Sequence, residues 1–350
     1  MLIPKQTAIP ALVRVKPGAL DRMGIYAERN EFNRILLFFS RDLNDRLMER
    51  LTSSLRSRNI QILQQAPVES IGFEKATELF SKSPANADAI IGFGGGKALD
   101  VAKYVAFLCG RPYLSVPTSL SNDGFCSSQS SLTVGDRRRP LQSTMPFGVI
   151  LDTTVCLDAP EILWHSGVGD LVSKFTAVTD WKMAFHATGT PVDDFAALLS
   201  DASVYQFLAR PTRDLEGMTL LGTALLLNGI SMSICGSSRP ASGSEHLISH
   251  ALDSVSKRPR LHGLQVGVAT YLVSLLQGQN SKRIAALFDT TGFWRAIASD
   301  PFDRVEWLEA ARVAPSIKAD FYTVLSSRNC LPEIETAFRS DPNLQQCFRQ

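Results

Sequence analysis

The chain has six cysteines among 350 residues, and no two of them form a CxxC pair. Closely paired cysteines are typical of zinc ribbons and of the disulfide frameworks of small secreted domains, so both classes are disfavoured. We therefore expect free thiols and a cytoplasmic protein. The opening segment, residues 1–5, is followed by no long apolar run, so we expect no signal peptide.

The chain also lacks a charge bias and a long apolar run. Lys and Arg number 36 against 34 Asp and Glu, a net charge of +2, so no basic field is directed at nucleic acid. The apolar stretch that comes closest to a membrane span, residues 220–234, is interrupted by Asn228 and Ser231, so we expect no membrane partner. Three arginines at residues 137–139 follow Val134-Gly135-Asp136 and predict a solvated hairpin tip.

What remains is an ordinary globular composition, 45% hydrophobic and 20% charged, with length for two domains. The first 160 residues alternate strand and helix patterns, which predicts a mostly parallel sheet with helices on its faces. From about Pro160 long helical patterns dominate. We therefore predict an α/β, Rossmann-like domain over residues 1–160 and an all-helical domain over residues 161–350, with the active site in the cleft between them.

The predicted strands are short apolar runs, and the predicted helices have apolar residues at every third or fourth position. In the first domain, strands are predicted at 35–39, 60–63, 87–93 and 113–117, and helices at 42–58, 73–81 and 98–109. Asp42 is placed to cap the first of these helices. In the second domain, helices are predicted at 170–186, 191–208, 214–235, 243–254 and 261–277.

A glycine-rich segment joins the third predicted strand to the helix after it. It reads Ile90-Ile91-Gly92-Phe93-Gly94-Gly95-Gly96-Lys97-Ala98-Leu99-Asp100. Consecutive glycines let the backbone approach a ligand closely, and the N–H groups at a helix start favour a phosphate. The segment matches neither the G-x-G-x-x-G fingerprint nor the P-loop spacing. It fits a pyrophosphate cradle in outline, and a tight turn needed only for packing stays an alternative.

A polar loop follows the fourth predicted strand, Pro117-Thr118-Ser119-Leu120-Ser121-Asn122-Asp123-Gly124. Ligands in open α/β sheets bind at the carboxyl ends of the strands, so these hydroxyls are placed for a nicotinamide amide or a phosphate. The same residue types are common in plain turns, so both interpretations stay open on this loop alone.

Three of the five histidines, His246, His250 and His262, fall within 17 positions. His246 and His250 are four residues apart, which places them on one face of a helix. Asp170, at the start of the first helix of the second domain, is the best candidate for a completing carboxylate. Three such ligands leave an open position on a divalent ion, which suits catalysis. A single helical histidine more often has a packing role, but the clustering favours a metal site.

Taken in order, these segments resemble the glycerol-1-phosphate dehydrogenase branch of the dehydroquinate synthase-like and iron-containing alcohol dehydrogenase superfamily. The resemblance spans about residues 87 to 270 and includes the glycine segment and the polar loop. It is also carried by Gly167-Val168-Gly169-Asp170-Leu171-Val172-Ser173-Lys174, Asp180-Trp181-Lys182, Ser237-Ser238-Arg239-Pro240-Ala241-Ser242-Gly243-Ser244-Glu245-His246 and Leu261-His262-Gly263. The Ser-Arg-Pro-Ala-Ser-Gly run separates this branch from simple alcohol dehydrogenases.

The resemblance implies a role for each candidate site residue. Asp170, His246 and His262 would hold the metal, commonly zinc and sometimes nickel or iron, with Asp170 also near the substrate. His250 would contact the substrate or relay a proton, and Asp123 would lie against the substrate hydroxyls. The cofactor, NAD or NADP, would be held by Gly94, Gly95, Gly96, Lys97, Asp100, Thr118, Ser119, Leu120, Ser121 and Ser127.

The implied reaction is the reversible reduction of dihydroxyacetone phosphate to sn-glycerol 1-phosphate, a step of phospholipid metabolism. The cofactor would supply the hydride and the metal would stabilise the alkoxide. Arg239 or Lys174 is available for the substrate phosphate. We expect a small phosphorylated substrate and a homo-oligomer, a dimer or larger.

Three alternatives stay open. One is a dehydroquinate synthase-like, NAD-dependent cyclase, which uses Glu where this chain has Asp170. The second is a dehydrogenase of another small polyol such as glycerol, and the third is a binding protein that keeps the fold without catalysis. The choice between NAD and NADP is also open, because Arg41 suits a 2′-phosphate and Asp42 suits a ribose hydroxyl.

Overall fold

The computed structural model describes residues 7–135 and 137–349. The opening residues 1–5, on which we expect no signal peptide, and Asp136 of the predicted hairpin lie outside the described residues. Contacts within the chain divide it into two compact units, Met1–Ala159 and Pro160–Gln350.

The first unit is built on a six-stranded parallel sheet and a separate antiparallel hairpin. Its strands are β1 (Leu12–Lys16), β2 (Arg34–Ser40), β3 (Gln61–Val68), β4 (Ala89–Gly94), β5 (Tyr113–Pro117), β6 (Gln129–Val134), β7 (Arg137–Gln142) and β8 (Gly148–Asp152). The order across the large sheet is β1-β8-β5-β4-β2-β3, and β6 pairs with β7. The predicted parallel sheet is confirmed.

Helices cover this sheet on both faces. They are α1 (Met23–Arg29), α2 (Asp45–Arg56), α3 (Phe73–Ser81), α4 (Gly96–Cys109) and α5 (Thr153–Asp158). Side chains alternate along β2, so that Ile35 and Leu37 pack in a core with α1 and α2. Leu36 and Phe38 pack in a second core with α3 and α4. This double burial explains why the central strands have continuous apolar sequences.

Some details of the first unit differ from the prediction. Helix α2 is capped by Asn44, whose Oδ1 accepts a hydrogen bond from the Arg46 backbone N–H at 2.8 Å, so the predicted cap at Asp42 is wrong. Strand β3 continues past its predicted end to Val68, through polar residues that are common on an edge strand. The predicted hairpin is confirmed, but arginines 137–139 lie exposed in β7 rather than at the tip.

The second unit is helical, as predicted. Its helices are α6 (Glu161–Val172), α7 (Lys174–Thr188), α8 (Asp194–Leu208), α9 (Leu215–Cys235), α10 (Ser244–Val255), α11 (His262–Gln277), α12 (Ser281–Thr291), α13 (Phe293–Ala298), α14 (Arg304–Val313), α15 (Val324–Ser327), α16 (Leu331–Ser340) and α17 (Pro342–Gln345).

The helix predicted at residues 170–186 is two helices, α6 and α7, which meet at Ser173. Asp170 therefore lies in the last turn of α6, and its predicted place at the start of a helix is wrong. Gly167 and Gly169 lower the helix propensity of the stretch before it, which hides α6 from the sequence pattern.

The glycine before Asp170 has a packing reason. A Cβ on Gly169 would lie 2.1 Å from the carbonyl oxygen of Gly263 on α11. Only residues without side chains allow this close approach of α6 and α11. The approach brings the end of α6 beside the start of α11, where His262 lies.

Helix α9 is long and apolar enough to cross a membrane by length and composition alone, and it is the one such helix in the described residues. The prediction that Asn228 and Ser231 make this stretch too polar for a membrane span is therefore wrong by length and composition alone, and the expectation of no membrane partner stays a prediction. Half of the 18-residue apolar stretch of α9 is buried within the structure. There α9 packs along α8 and also contacts α6. The core helix of a soluble protein meets the same criterion, so α9 is weak evidence for a membrane span.

Candidate metal centre and cofactor loops

Three helices of the second unit bring Asp170, His246 and His262 together. Asp170 comes from the end of α6, His246 from the first turn of α10, and His262 is the first residue of α11. Asp170 Oδ1 lies 3.5 Å from His246 Nε2 and 3.8 Å from His262 Nε2. One ligand atom from each residue lies within 4.8 Å of the other two. Ligands about 2 Å from a shared ion have similar spacings, so the set fits a metal site.

The outer nitrogens of both imidazoles have partners. His246 Nδ1 lies 2.9 Å from Glu245 Oε1, and His262 Nδ1 lies 3.2 Å from Ser249 Oγ. Histidines that bind metals usually have such a partner, which fixes the tautomer and orients the ring. The Nε2 atoms of both rings lie towards Asp170. The donor set of two imidazoles and one carboxylate suits zinc and several other divalent ions.

Glu245 is a site residue that sequence reasoning missed. It is fully buried, and its Oε1 also accepts a hydrogen bond from the Gly243 backbone N–H at 2.5 Å. Its Oε2 accepts one from Thr176 Oγ1 at 2.8 Å. The available signal was only that a carboxylate directly precedes a candidate ligand in the sequence, and the burial that distinguishes Glu245 is seen only in the structure.

The charges around Asp170 favour its ionised form. Burial raises the pKa of Asp170, but Lys174, His246 and His262 outweigh that effect and hold the pKa below its ordinary value. Burial lowers the pKa of His246, whereas hydrogen bonds to Asp170 and Glu245 raise it, and the net direction is upward. An ionised carboxylate can bind a cation, and the two imidazoles can bind the same ion only when they are neutral, so metal binding requires the loss of any proton on the ligating nitrogens.

Lys174 is fully buried, with its Nζ 3.9 Å from Asp170 Oδ2. The same Nζ lies 3.3 Å from both Ser173 Oγ and the Ala241 carbonyl oxygen. These contacts direct Lys174 into the interior beside Asp170. The choice between Lys174 and Arg239 for a substrate phosphate stays a prediction.

His250 lies one turn after His246 on α10 and is half-buried. Its ring centroid is 5.7 Å from that of His262, with the two rings stacked at 28°, and 6.4 Å from that of His246. The structure thus places His250 beside the ligand set. Its predicted role as a substrate contact or proton relay stays a prediction.

The glycine loop of the first unit is shaped by Ser40 at the end of β2. Gly94 has φ +135°, and a Cβ there would lie 2.2 Å from Ser40 Oγ, so this position requires glycine. The Gly95 backbone N–H donates to the same Oγ at 3.0 Å. These contacts hold the backbone turn that precedes α4.

The start of α4 is open to a ligand. Among the residues that the structure describes, no side chain caps the helix, and a Cβ on Gly96 would meet no heavy atom within 4 Å. Gly96 and Lys97 are exposed. Uncapped N–H groups and the positive end of the helix dipole favour an anion such as a pyrophosphate.

The polar loop lies next to the glycine loop because β4 and β5 are neighbours in the sheet. The Thr118 backbone N–H donates to the Gly94 carbonyl at 3.0 Å. Ser119 and Ser121 are half-buried and Leu120 is buried. Farther along, Asp123 begins a short 3-10 turn, Asp123–Cys126, and is half-buried. The structure thus brings Gly94–Lys97 and Thr118–Ser121 to one edge of the sheet.

Lys103 is another residue that sequence reasoning missed. It is fully buried, and its Nζ donates to the carbonyl oxygens of Gly124 at 2.7 Å and Gln129 at 2.6 Å. The same Nζ lies 3.2 Å from Ser127 Oγ and 3.4 Å from Asp100 Oδ1. Two predicted cofactor contacts, Asp100 and Ser127, thus face this lysine. The i,i+3 spacing of Asp100 and Lys103 was the available signal.

Comparison with known proteins gives consistent relationships. Residues 14–160 match the family model of iron-containing alcohol dehydrogenases. The glycerol-1-phosphate dehydrogenase (NAD(P)+) of Aeropyrum pernix is 35% identical over 343 residues, which cover 94% of this chain and 95% of the relative. The enzyme of that name from Halorubrum lacusprofundi is 34% identical over 326 residues, 91% of each chain.

Solved structures show the same fold at low identity. Glycerol dehydrogenase from Schizosaccharomyces pombe superposes with a TM-score of 0.78 over 98% of this chain and 92% of that chain, at 16% identity. An iron-containing alcohol dehydrogenase from Thermotoga maritima superposes with a TM-score of 0.67 over 94% of this chain and 99% of that chain, at 15% identity. These structures show the fold, and the relatives that are 34–35% identical over more than nine-tenths of this chain show that the protein belongs to the glycerol-1-phosphate dehydrogenase family.

Proposed function

We propose that the protein catalyses the reversible, NAD(P)-dependent reduction of dihydroxyacetone phosphate to sn-glycerol 1-phosphate. The observation that carries the proposal is the convergence of Asp170, His246 and His262 in a chain whose relatives have that activity in their names. The proposal disfavours the cyclase alternative because the ligand carboxylate is Asp170 rather than Glu.

The proposed metal ligands are Asp170, His246 and His262, and zinc is the ion we propose, with nickel and iron to be tested beside it. When bound, such an ion supplies Lewis-acid stabilisation of negative charge on the substrate oxygen. Glu245 and Ser249 orient the two imidazoles through their Nδ1 atoms. This support lets the ligands keep their geometry during turnover.

We assign the proton transfer to His250. Reduction of a ketone to an alcohol requires one proton at the carbonyl oxygen, and imidazole exchanges protons readily near neutral pH. His250 is half-buried, and its ring stacks on that of His262, a proposed metal ligand, at a centroid distance of 5.7 Å. Asp123 is proposed to accept hydrogen bonds from the substrate hydroxyls.

The proposed cofactor site is formed by the two neighbouring loops. Gly94–Lys97 and the open start of α4 would bind the pyrophosphate, and the cofactor supplies the hydride. In the loop Thr118–Ser121, the hydroxyls of Thr118, Ser119 and Ser121 would form hydrogen bonds with the nicotinamide amide. Leu120 would line the same site. Asp100 and Ser127 both contact the buried Lys103. We therefore propose that they hold the segment around Ser127 against α4 and so position the cofactor site.

We further propose that the protein is a cytoplasmic homo-oligomer, a dimer or larger, that acts in phospholipid metabolism. The support is chemical: the proposed product is a glycerol phosphate, the backbone of a phospholipid. The balanced charge, +2 overall, also fits a small-molecule substrate rather than nucleic acid.

The test is an assay of NADH and NADPH oxidation on protein that has been stripped by a chelator and given zinc, nickel or iron. We expect oxidation with dihydroxyacetone phosphate to return with the metal, and little oxidation with dihydroxyacetone. The product should resist oxidation by an enzyme specific for sn-glycerol 3-phosphate. Equal turnover of dihydroxyacetone would favour the polyol dehydrogenase, and binding of NADH without its net consumption would favour the cyclase or the binding protein.

Two histidine variants form a matched pair for this assay. His246→Ala should bind no metal and show no turnover, whereas His186→Ala should keep both, because His186 is exposed on α7 and outside the ligand set. Full metal affinity in an inactive His246→Ala protein would contradict the ligand assignment.

A further inference from the structure

Two cations in the second unit lie against one aromatic ring, outside the metal ligand set. The guanidinium carbon of Arg239 is 3.5 Å from the ring centroid of Phe321, and Lys318 Nζ is 4.9 Å from the same centroid. Lys318 Nζ also lies 3.4 Å from the hydroxyl of Ser238, the residue before Arg239. Two positive charges are therefore held in one small patch, which we call the cation pair.

The charge of the cation pair is not balanced by a salt bridge. Within residues 7–135 and 137–349, neither Arg239 nor Lys318 has a carboxylate oxygen within 4.0 Å. Burial lowers the pKa of Arg239, whose residue is only 5% exposed, and burial together with Arg239 lowers the pKa of Lys318. Burying two like charges together is costly, and an anion bound between them would offset the cost.

Two carboxylates face the cation pair from farther away. Asp180 is buried, and its oxygens accept hydrogen bonds from the backbone N–H groups of Ser244 and Val324. Asp320 is exposed to solvent. Neither carboxylate therefore forms a salt bridge with Arg239 or Lys318, and the space between the two cations is left for a bound anion.

The guanidinium of Arg239 is held in one orientation. Its Nη1 donates to the Tyr322 carbonyl oxygen at 2.6 Å, and the Phe321 ring lies against its face. In the described chain, this is the one hydrogen bond of the guanidinium group, so its other N–H donors are available to a ligand. A preorganised planar fork beside an ammonium group suits the oxygens of a phosphate.

Arg239, one member of the cation pair, belongs to the segment that leads into α10 and its candidate metal ligand His246. The Ala241 carbonyl, two residues after Arg239, lies 3.3 Å from Lys174 Nζ, which in turn lies 3.9 Å from Asp170 Oδ2. His246 follows on the same segment. A small molecule with a phosphate at one end and a ketone at the other could therefore engage both groups of residues.

We propose that Arg239 and Lys318 bind the phosphate group of the substrate and so select phosphorylated ketones over unphosphorylated ones. This inference rests on the proposed function, which the experiment below tests separately. Lys318 and its partnership with Arg239 had no signal in the sequence, since the two residues are far apart along the chain.

The direct test is calorimetric titration of the metal-loaded, full-length protein with inorganic phosphate. Arg239→Gln should raise the Kd for phosphate by about 10- to 100-fold, the range expected for lost hydrogen bonds to a charged group. Lys318→Gln should raise it less, about 3- to 10-fold, because a point charge is lost rather than a two-donor fork. Arg239→Lys should lie between Arg239→Gln and the unaltered protein.

The matched control is Arg283→Gln. Arg283 also lies over aromatic rings, 5.2 Å from the centroid of Tyr205 and 5.7 Å from that of Phe175, but it is exposed. This variant should leave the Kd for phosphate unchanged. If Arg239→Gln does not fold, as judged by circular dichroism and metal content, Lys318→Gln carries the test.

Turnover separates the inference from the proposed function. In Arg239→Gln the KM for dihydroxyacetone phosphate should rise by about the same factor as the Kd, with kcat/KM for dihydroxyacetone unchanged. An unchanged Kd for phosphate in both variants, or an equal loss with both ketones, would overturn the inference even if the unaltered protein reduces dihydroxyacetone phosphate. Phosphate binding that depends on Arg239, in a protein that does not reduce dihydroxyacetone phosphate, would keep the anion site and overturn the proposed function.

Discussion

Each unit of the protein buries a lysine beside an aspartate, and the two carboxylates respond in opposite ways. On α4, Lys103 Nζ lies 3.4 Å from Asp100 Oδ1, and between α7 and α6, Lys174 Nζ lies 3.9 Å from Asp170 Oδ2. Burial raises the pKa of Asp100 in spite of Lys103. The pKa of Asp170 is lowered, because two imidazoles add to the effect of Lys174.

The contacts of the lysines explain the difference. Lys103 donates to two backbone carbonyls at 2.6 and 2.7 Å, so its charge mainly holds the segment around Ser127 against α4. Lys174 has longer contacts of 3.3 Å and lies beside a carboxylate that faces two histidines. A buried ion pair therefore does not by itself indicate an active site. The groups around the carboxylate decide whether it can bind a cation.

The largest expected effect comes from neutralising each carboxylate in turn. Asp170→Asn should lose the metal and lower kcat/KM by about 1,000-fold or more, since an ion that stabilises the developing charge contributes several kcal/mol. Asp100→Asn should keep its metal content and lose about 10-fold or less. Metal analysis and NAD(P)H oxidation measure both. Stoichiometric metal in an active Asp170→Asn protein would remove the distinction between the two pairs.

Replacing the lysines should separate the pairs by stability. Lys103→Met should lower the free energy of unfolding by about 3–5 kcal/mol, with or without metal, because it leaves Asp100 and two carbonyls without their cation. Lys174→Met should be costly in the metal-free protein and milder with zinc, which would compensate Asp170. Urea unfolding with and without zinc measures the difference. Equal sensitivity of both variants to zinc would contradict this assignment.

Asp180 is a third buried aspartate, to be compared with Asp100 and Asp170. Within residues 7–135 and 137–349 it forms no salt bridge to a cation. Burial, followed by the charge of Glu245, raises the pKa of Asp180 to about 6. The folded state therefore holds this proton more tightly than the unfolded state, so the stability due to Asp180 falls as the pH rises from about 4 to about 6.

The variant that reveals this effect is Asp180→Asn, which cannot ionise. Between pH 4 and pH 7.5 the unaltered protein should lose about 2.5 kcal/mol relative to Asp180→Asn, since each unit of pKa corresponds to about 1.4 kcal/mol and part of the effect is already lost at pH 4. Urea unfolding of both proteins at the two pH values gives this difference. A stability difference that stays constant with pH would refute the raised pKa.

The smallest effect is expected at an exposed ion pair of the first unit, Arg41 Nη1 and Glu69 Oε1 at 2.9 Å. Such pairs contribute roughly 0–1 kcal/mol, so Glu69→Gln should barely change the free energy of unfolding.

Arg41 also bears on the choice of cofactor, because it lies just after β2. We expect Arg41→Ala to raise the KM for NADPH by about 3- to 10-fold and to leave the KM for NADH within about 2-fold. Steady-state kinetics with both cofactors measure this, and an equal change for both would exclude a 2′-phosphate contact.

Local patterns predicted much of the fold and part of the candidate site. Apolar runs and helical spacing predicted the parallel sheet of the first unit and the helices of the second. The clustering of His246, His250 and His262 was visible because α10 and α11 follow each other closely. Strands β1 and β8 were missed, since Arg14 and Lys16 interrupt the apolar pattern of β1 and only three consecutive apolar residues, Val149 to Leu151, lie between Gly148 and Asp152 in β8.

The sequence by itself determined the elements and the types of ligand, because periodicity, glycine content and the spacing of histidines act over a few residues. Tertiary structure alone decided that Asp170 meets the histidines, because that meeting depends on the close approach of α6 and α11 at Gly169 and Gly263. It also decided the burial of Lys103 and the pairing of Arg239 with Lys318. The energy of a charge depends on burial and on neighbours brought from distant parts of the chain, and neither is written in local sequence.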